Sequence, residues 1–461
     1  MKVCKFGGSS VADDVQVAKI CDIIAADPAR RIVVVSAPGK RNKQDTKVTD
    51  LLIACAAQCL EQKDAQELLD AIIERYAVIY RGLGLDKNPE TQGVLDEIRA
   101  DLTGRVARAG QIDAARFMDA MKAAGEDNSA RIVAAALRAR GMRAVYKHPG
   151  QAGLLMSDDF GNAQVLPKSY ERLAALASEA EHDIIVFPGF FGVTEAGDIA
   201  TFPRGGSDIT GSILAAAIKA KVYENFTDVD AVYPVDPRLV PEVAAGNGIP
   251  EMTYREMREL SYAGFGVFQD EAIIPAVRAA IPINIRNTNH PEAPGTMIVH
   301  RRRARQGSVV GIASSAGFCT LYIDKYMMNR EIGFGRKLLQ ILEDEGISYE
   351  HMPSGIDNVS VIFREDGFTN EVEGRVRDHI MRDLQPDNLQ IERGTALIMI
   401  VGEGLYYTPG MAAHATLALF REGISIDMMN QGSSEISMMF GVQSAHRENA
   451  VRALYHAFFK D

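Results

Sequence analysis

Residues Met1 to Ser10 read M-K-V-C-K-F-G-G-S-S, which places a strand, a glycine turn and the approach to a helix within a dozen residues. Val3 to Phe6 is a short apolar run interrupted by Lys5. Gly7 and Gly8 follow, then two hydroxyl side chains, and a helical pattern extends from about Val11 to Ala26. Such a turn offers free backbone N–H groups at a helix N-terminus, where the dipole favours an anion, and two residues without Cβ let a phosphate come close. Lys5, at the carboxyl end of the strand, adds a positive charge beside that cradle. A lone Gly-Gly pair also suits an ordinary strand-to-helix turn, so the rest of the chain has to decide.

Working outward, Arg31 to Ala37 (R-I-V-V-V-S-A) is a near-continuous apolar run of the kind buried on both faces of a parallel sheet. A polar loop leads from Pro38 to Thr49, a natural helix N-cap. Glu61 to about Gly110 reads as amphipathic helix with short breaks, an excursion above the sheet. G-E-D-N-S-A (Gly125 to Ala130) reads as the opening of another helix, with Glu126 acidic at its start. Asp183 to Gly192 is a further buried strand.

A second turn of related design follows at Thr201 to Gly211, T-F-P-R-G-G-S-D-I-T-G. Here Arg204 precedes two glycines, a serine and an aspartate, and an Ala-rich helix runs on to Lys221. Its guanidinium suits bidentate carboxylate or phosphate contact. The strand Val222 to Phe226 then meets T-D-V-D-A-V-Y-P-V-D-P-R (Thr227 to Arg238), polar residues at a strand's carboxyl end, where open parallel sheets bind ligands. Ile281 to Ile285 gives a last strand before a Pro- and Arg-rich linker, about residues 290 to 307.

The chain has 461 residues, 47% of them apolar and 24% charged, with a formal charge of -11. That is room for two or three domains. The acidic balance argues against nucleic acid as a partner, and no apolar run is long enough to span a bilayer, so the expectation is a cytoplasmic protein without membrane contact. Five cysteines in apolar segments read as reduced core thiols.

In the last third, residues 346 to 363 align without a gap to 423 to 440, sharing Gly, Ile, Ser, Met, Gly, Ser and Phe. Two copies of a small α+β unit account for this. The first reads β-α-β-β-α-β from Phe318 to about Arg393. The second, from Ala396, stops one strand short, and Val309 to Ala313 is expected to supply the missing strand, so that the first copy is inserted in the second. A dimerisation module and an effector-binding module both fit such a pair.

These residues together resemble the aspartate kinases, members of the amino-acid kinase superfamily with tandem C-terminal ACT domains. The likeness rests on K-F-G-G-S-S at 5 to 10, V-T-D-L-L at 48 to 52, G-E at 125 to 126, R-G-G-S-D at 204 to 208, the 227 to 238 segment and Q-G-S-S-E at 431 to 435. It implies an open, mostly parallel α/β sheet sandwiched by helices over residues 1–306, then two ferredoxin-like ACT domains, 314–394 and 307–313 plus 395–461. It also implies ATP-dependent phosphorylation of the L-aspartate side chain, with Mg²⁺ carried on the nucleotide and no protein metal site. By motif match Lys5, Phe6, Gly7, Gly8, Thr227, Asp228, Tyr233 and Arg238 would bind ATP. Ser36, Thr49, Glu126, Arg204, Gly205, Gly206 and Ser207 would bind aspartate, and Lys5 and Asp208 would be catalytic, with Asp208 organising Lys5 or the metal. Met328, Gly333, Phe334, Ser348, Tyr349 and Glu350 match effector segments for lysine, alone or with threonine. A homodimer or dimer of dimers through the ACT domains is expected.

Many members carry a second lysine where Gly266 stands in this chain. A related kinase acting on glutamate and a non-catalytic amino-acid sensor are the competing readings.

Overall fold

The computed structural model describes residues 1–203, 205–246, 248–264, 270–406, 408–432 and 436–460. The chain divides into two units. The first comprises 1–232, 248–254 and 268–302, and the second 233–247, 255–267 and 303–461.

The first unit is built on an eight-stranded sheet: β1 (Lys2–Phe6), β2 (Arg30–Val35), β3 (Ala144–Tyr146), β4 (Ile184–Pro188), β7 (Val222–Thr227), β8 (Glu251–Thr253), β9 (Ile283–Asn287) and β10 (Thr296–Val299). The spatial order is β3-β4-β2-β1-β7-β9-β10-β8, and every pairing is parallel except β9 with β10. β5 (Phe191–Val193) and β6 (Ile199–Thr201) form a separate hairpin. The central strands are buried along nearly their whole length, as the apolar runs of β2 and β4 require, and in β1 the burial extends to Lys5. The chain leaves β1 on one side towards β2 and returns on the other side as β7, so the strand order reverses at β1. The crevice at the carboxyl ends of the strands beside such a reversal is where open α/β sheets take ligands.

The helices of this unit are α1 (Asp14–Ala25), α2 (Val48–Leu60), α3 (Gln66–Gly82), α4 (Val94–Val106), α5 (Ala114–Ala139), the short α6 (Pro149–Ala152), α7 (Lys168–Leu173), α8 (Leu176–His182), α9 (Gly206–Ala217) and α11 (Ile274–Arg278), while α10 (Tyr254–Tyr262) falls in the second unit from Arg255 on. α3 and α4 form the expected helical excursion, and their apolar faces join α2, α5 and β1 in one core. Among the described residues, no helix is long and apolar enough to cross a membrane.

Five features differ from the sequence reading. Residues Gly8–Val11 form a 3₁₀ turn, and α1 starts at Asp14, where the Asp13 carboxylate accepts from Gln16 N at 2.9 Å. α2 is capped at Lys47, so Thr49 lies inside its first turn instead of capping it. Gly125 and Glu126 open no helix; they sit midway along α5. Gly125 serves close packing, since a Cβ there would lie 2.7 Å from the Ala37 Cβ. α9 stops at Ala217, before Lys219 at φ 51°, and the supposed linker after His290 contains β10.

In the second unit, β11 (Gly311–Asp324), β12 (Tyr349–His351), β13 (Asn358–Arg364), β14 (Asn388–Val401), β15 (Met428–Asn430) and β16 (Ser437–Gln443) form one antiparallel sheet, ordered β12-β13-β11-β14-β16-β15. β11 and β14 are long and shared. The far half of β11, Phe318–Asp324, pairs with β13, while its near half, Gly311–Ala316, lies against Ala396–Val401 of β14. The helices α12 (Phe334–Asp344) and α13 (Asn370–Asp383) cover one apolar cluster, and α14 (Met411–Arg421) and α15 (Arg447–Phe459) cover another. The second cluster also takes in Val235, Val240 and Val243 from the 233–247 segment.

Candidate active site

β1 delivers Lys5 to the crevice almost fully buried, at 7% exposure. Its register puts it beside Val34 of β2 and Asn225 of β7. Lys5 Nζ lies 2.7 Å from Asp208 Oδ1, and Asn225 Nδ2 donates to the same oxygen at 2.7 Å. The backbone at Asp208 is held as well, because its carbonyl accepts from the Tyr223 hydroxyl at 3.2 Å. The first glycine turn and the start of α9 therefore meet at one ion pair.

The second turn gets its shape from Gly205, at φ 77°, a conformation that favours glycine. Ser207, in the first turn of α9, is packed against Gly189 just past β4, where a Cβ would fall 2.6 Å from the serine Oγ. The serine is thereby pinned at the carboxyl end of the sheet.

Past the end of β1, Gly7 N donates to Phe226 O at 3.3 Å on the β7 side, and Gly8 O accepts from Gly39 N at 2.8 Å on the β2 side. Ser36, half-buried, follows β2 directly, with its N–H bonded to Phe6 O at 3.1 Å. Thr49 is half-buried in the first turn of α2, whose opening residue, Val48, donates to Pro38 O at 3.1 Å. Glu126 reaches the same loop from α5. It is 6% exposed, and its carboxylate accepts from the Ala37 N–H. Burial pushes its pKa up to about 8, only partly offset by backbone N–H groups. Oε2 is buried without a hydrogen-bond partner among the described residues. A buried carboxylate oxygen left open in this way is suited to a cationic ligand group.

Thr227 and Asp228 close β7, their side chains bonded to each other at 3.1 Å. Tyr233 and Arg238 belong to the second unit, where Arg238 forks onto Asp236 at 3.0 and 2.7 Å. Arg204, Gly266 and the last three residues of Q-G-S-S-E lie outside the described residues. Asn225, Gly39 and Gly189 were missed from the sequence. The adjacent polar pair Glu224 and Asn225 in the strand V-Y-E-N-F was the available signal for the first. The two glycines carry none, because what makes them necessary is a neighbour distant in sequence.

Residues 1–287 match the model of the amino acid kinase family, and residues 398–458 match that of the ACT domain. Over 460 residues the chain is 52% identical to Aspartokinase 3 of Bacillus subtilis (strain 168), covering 100% of this chain and 99% of that protein. The chain belongs to the aspartokinase family. Among solved structures, this aspartokinase is similar to the aspartate kinase of Clostridium acetobutylicum, with TM-score 0.87 and 35% identity over 99% of this chain and 100% of the other. It is also similar to E. coli aspartokinase III in complex with lysine and aspartate, with TM-score 0.78 and 25% identity over 100% of both chains.

Of the effector candidates in this aspartokinase, Met328 and Phe334 are buried in the core under α12 and α13, and their side chains serve packing. Gly333, Ser348 and Tyr349 are exposed. Glu350 accepts from the Tyr262 hydroxyl and lies 3.5 Å from Arg364 Nε. Among the described residues, no group of three or more His, Cys, Asp or Glu is arranged to hold a metal ion.

Proposed function

We propose that this aspartokinase transfers the γ-phosphoryl group of ATP to the side-chain carboxylate of L-aspartate, giving 4-phospho-L-aspartate and ADP. This is the first step towards lysine, threonine and methionine. The observation that carries the assignment of residues is the Lys5–Asp208 contact, which joins the two glycine turns at one point. The acceptor carboxylate is ionised at pH 7, so the reaction needs no general base. It needs in-line positioning and a site complementary to the charge that spreads over the transferred group. Lys5 would hold the phosphates through its ammonium, with Phe6, Gly7 and Gly8 letting them close to the backbone; the Gly7 N–H itself is given to Phe226 O. Ser36, Thr49, Gly205, Gly206 and Ser207 would line the acceptor side, with Glu126 Oε2 receiving the aspartate ammonium and Arg204 its α-carboxylate. Thr227 and Asp228 would complete the nucleotide pocket.

Asp208 directs its contacts with Lys5 and Asn225 through Oδ1, which fits a role in organising Lys5 and leaves Oδ2 to meet a Mg²⁺ arriving on the nucleotide. Bound there, the cation would neutralise charge on the β- and γ-phosphates.

Residues 314–394 form one ACT domain and 307–313 with 395–461 the other, on the support of the divided pairing of β11. Lysine, alone or with threonine, inhibits through this pair. The solved E. coli relative in complex with lysine supports the effector class. The sheet ends in β12 and β15, where Tyr349 and Met429 are about half-exposed, which favours a homodimer or dimer of dimers.

ADP release measured with aspartate, with glutamate and with no acceptor tests the reaction. Turnover confined to aspartate supports it, turnover with glutamate alone selects a related kinase, and no turnover selects a sensor. Titration with lysine, threonine and methionine, singly and in pairs, tests the regulation.

A further inference from the structure

The loop from β2 to α2, residues 36–47, lies between the turn assigned to the triphosphate and the residues assigned to the acceptor. It touches the first at Gly39. Gly39 N donates to Gly8 O at 2.8 Å, and a Cβ on Gly39 would stand 2.7 Å from the Gly8 carbonyl carbon, so the two backbones are in direct contact. From α3, outside both groups, comes Arg75, 5% exposed. Its Nη2 donates to Gly39 O at 2.5 Å, and its Nη1 lies 2.7 Å from Asp45 Oδ2. Asp45 in turn folds the loop on itself, accepting from Arg41 N at 2.9 Å and from Arg41 Nε and Nη2 at 2.9 and 3.0 Å.

A planar guanidinium holds two acceptors in fixed relative positions, which a single ammonium cannot do. Arg75 thus ties the loop at its contact with Gly8 and at its far bend. Burying an arginine costs free energy that a surface loop has no need to incur, so the arrangement asks for a reason beyond closing the loop.

We propose that Arg75 is a positioning residue for phosphoryl transfer. It presses Gly39 onto Gly8 and so fixes the spacing between the phosphate turn and the acceptor segment that runs from Ser36 to Thr49. Arg75 touches neither substrate. The inference rests on the reading of those two segments given above.

When the spacing is right, the aspartate carboxylate oxygen forms a bond to the γ-phosphorus as the bond to the β–γ bridging oxygen breaks, and ADP leaves. When Gly39 backs away from Gly8, water can take the place of the carboxylate. The γ-phosphorus then bonds to the water oxygen, a proton passes to solvent, and ADP and inorganic phosphate leave without any acyl phosphate. A displacement on the order of 1 Å costs such a reaction about a hundredfold.

The test uses the full chain and the variants R75M, R75K and D45N. ADP release is followed by a coupled assay, acyl phosphate is trapped with hydroxylamine as the aspartyl hydroxamate, and Tm is measured in parallel. Wild type should give one hydroxamate per ADP. R75M should lose about a hundredfold in kcat for hydroxamate, with KM for ATP and aspartate moving by less than about threefold, the pattern of an interaction needed only in the transition state. Its ratio of ADP to hydroxamate should rise above one. R75K should fall between R75M and wild type, and D45N should lose less than R75M because the Gly39 bond remains. Should R75M fail to fold, R75K and D45N carry the test.

Folded variants with wild-type kcat and one hydroxamate per ADP would overturn the proposal, as would rate losses that merely follow the fraction unfolded. A K5A enzyme with a near-normal rate would instead overturn the underlying reading of the phosphate turn, whatever Arg75 does.

Discussion

Lys5 Nζ lies 2.7 Å from Asp208 Oδ1, so an ammonium from the first glycine turn and a carboxylate from the second share one contact at the carboxyl end of the sheet. Lys5→Ala removes the charge facing the transferred phosphoryl group and should lower kcat by at least about a hundredfold, the usual loss for one preorganised electrostatic contact. Asp208→Asn leaves the ammonium without its counter-ion and should cost less. Steady-state ADP release decides both, and a near-normal rate in the alanine variant would exclude Lys5 from the mechanism.

Glu126 should give aspartate binding a pH dependence. Burial holds its pKa at about 8, so much of the free enzyme carries a neutral carboxyl at pH 7. An ammonium needs the ionised form, and the apparent KM for aspartate should fall as pH rises towards 8 and level off above it. Glu126→Gln should abolish this trend and raise KM by about ten- to a hundredfold, the worth of a buried charge-assisted hydrogen bond. A flat KM profile from pH 6 to 9 in wild type would exclude the role.

The same raised pKa acts on stability with the opposite sign from an ordinary salt-bridged acid. Between about 4.5 and 8 the unfolded chain has released this proton while the folded chain keeps it. Folding stability from this group should therefore decline as pH rises through that window, by at most about 1.4 kcal/mol per pH unit. Denaturant titrations of wild type and Glu126→Gln at several pH values would show the difference in slope.

Glu224 makes a structural prediction. Its carboxylate, 1% exposed, takes Arg30 Nε at 2.6 Å, Lys2 Nζ at 3.1 Å and Arg286 Nη1 at 3.2 Å. Burial alone would raise its pKa, but Arg30 and Lys2 together lower it to about 2. Its contribution is thus present above the ordinary glutamate value and is lost as pH falls towards 2. Glu224→Gln leaves three cations without their shared anion and should destabilise the fold by about 3–5 kcal/mol. An unchanged urea midpoint would contradict this.

Tyr262 offers a handle on regulation. Its hydroxyl donates to Glu350 on β12, and its ring stands edge-on to His351 at 6.4 Å between centroids. Tyr262→Phe removes that hydrogen bond beside the exposed Ser348 and Tyr349. The lysine concentration for half-inhibition should shift by about fivefold or more, a coupling change near 1 kcal/mol, while kcat without lysine holds. Superimposable lysine curves would sink the idea.

By itself the sequence determined the order of the elements and the kind of chemistry. Unbroken apolar runs such as I-V-V-V mark strands covered on both faces, paired glycines mark tight turns, and the repeat at 346 and 423 announces a duplicated α+β unit. These are local signals, written in neighbouring residues. The tertiary structure decided what the local signals misread. Gly125 resembles a helix break until Ala37 is seen against it, after which Glu126 belongs to mid-helix, in a setting dry enough to hold its proton. The roles of Asn225, Gly39 and Arg75 likewise depend on partners brought near by chain crossings, and no periodicity records a contact between residues far apart in the chain.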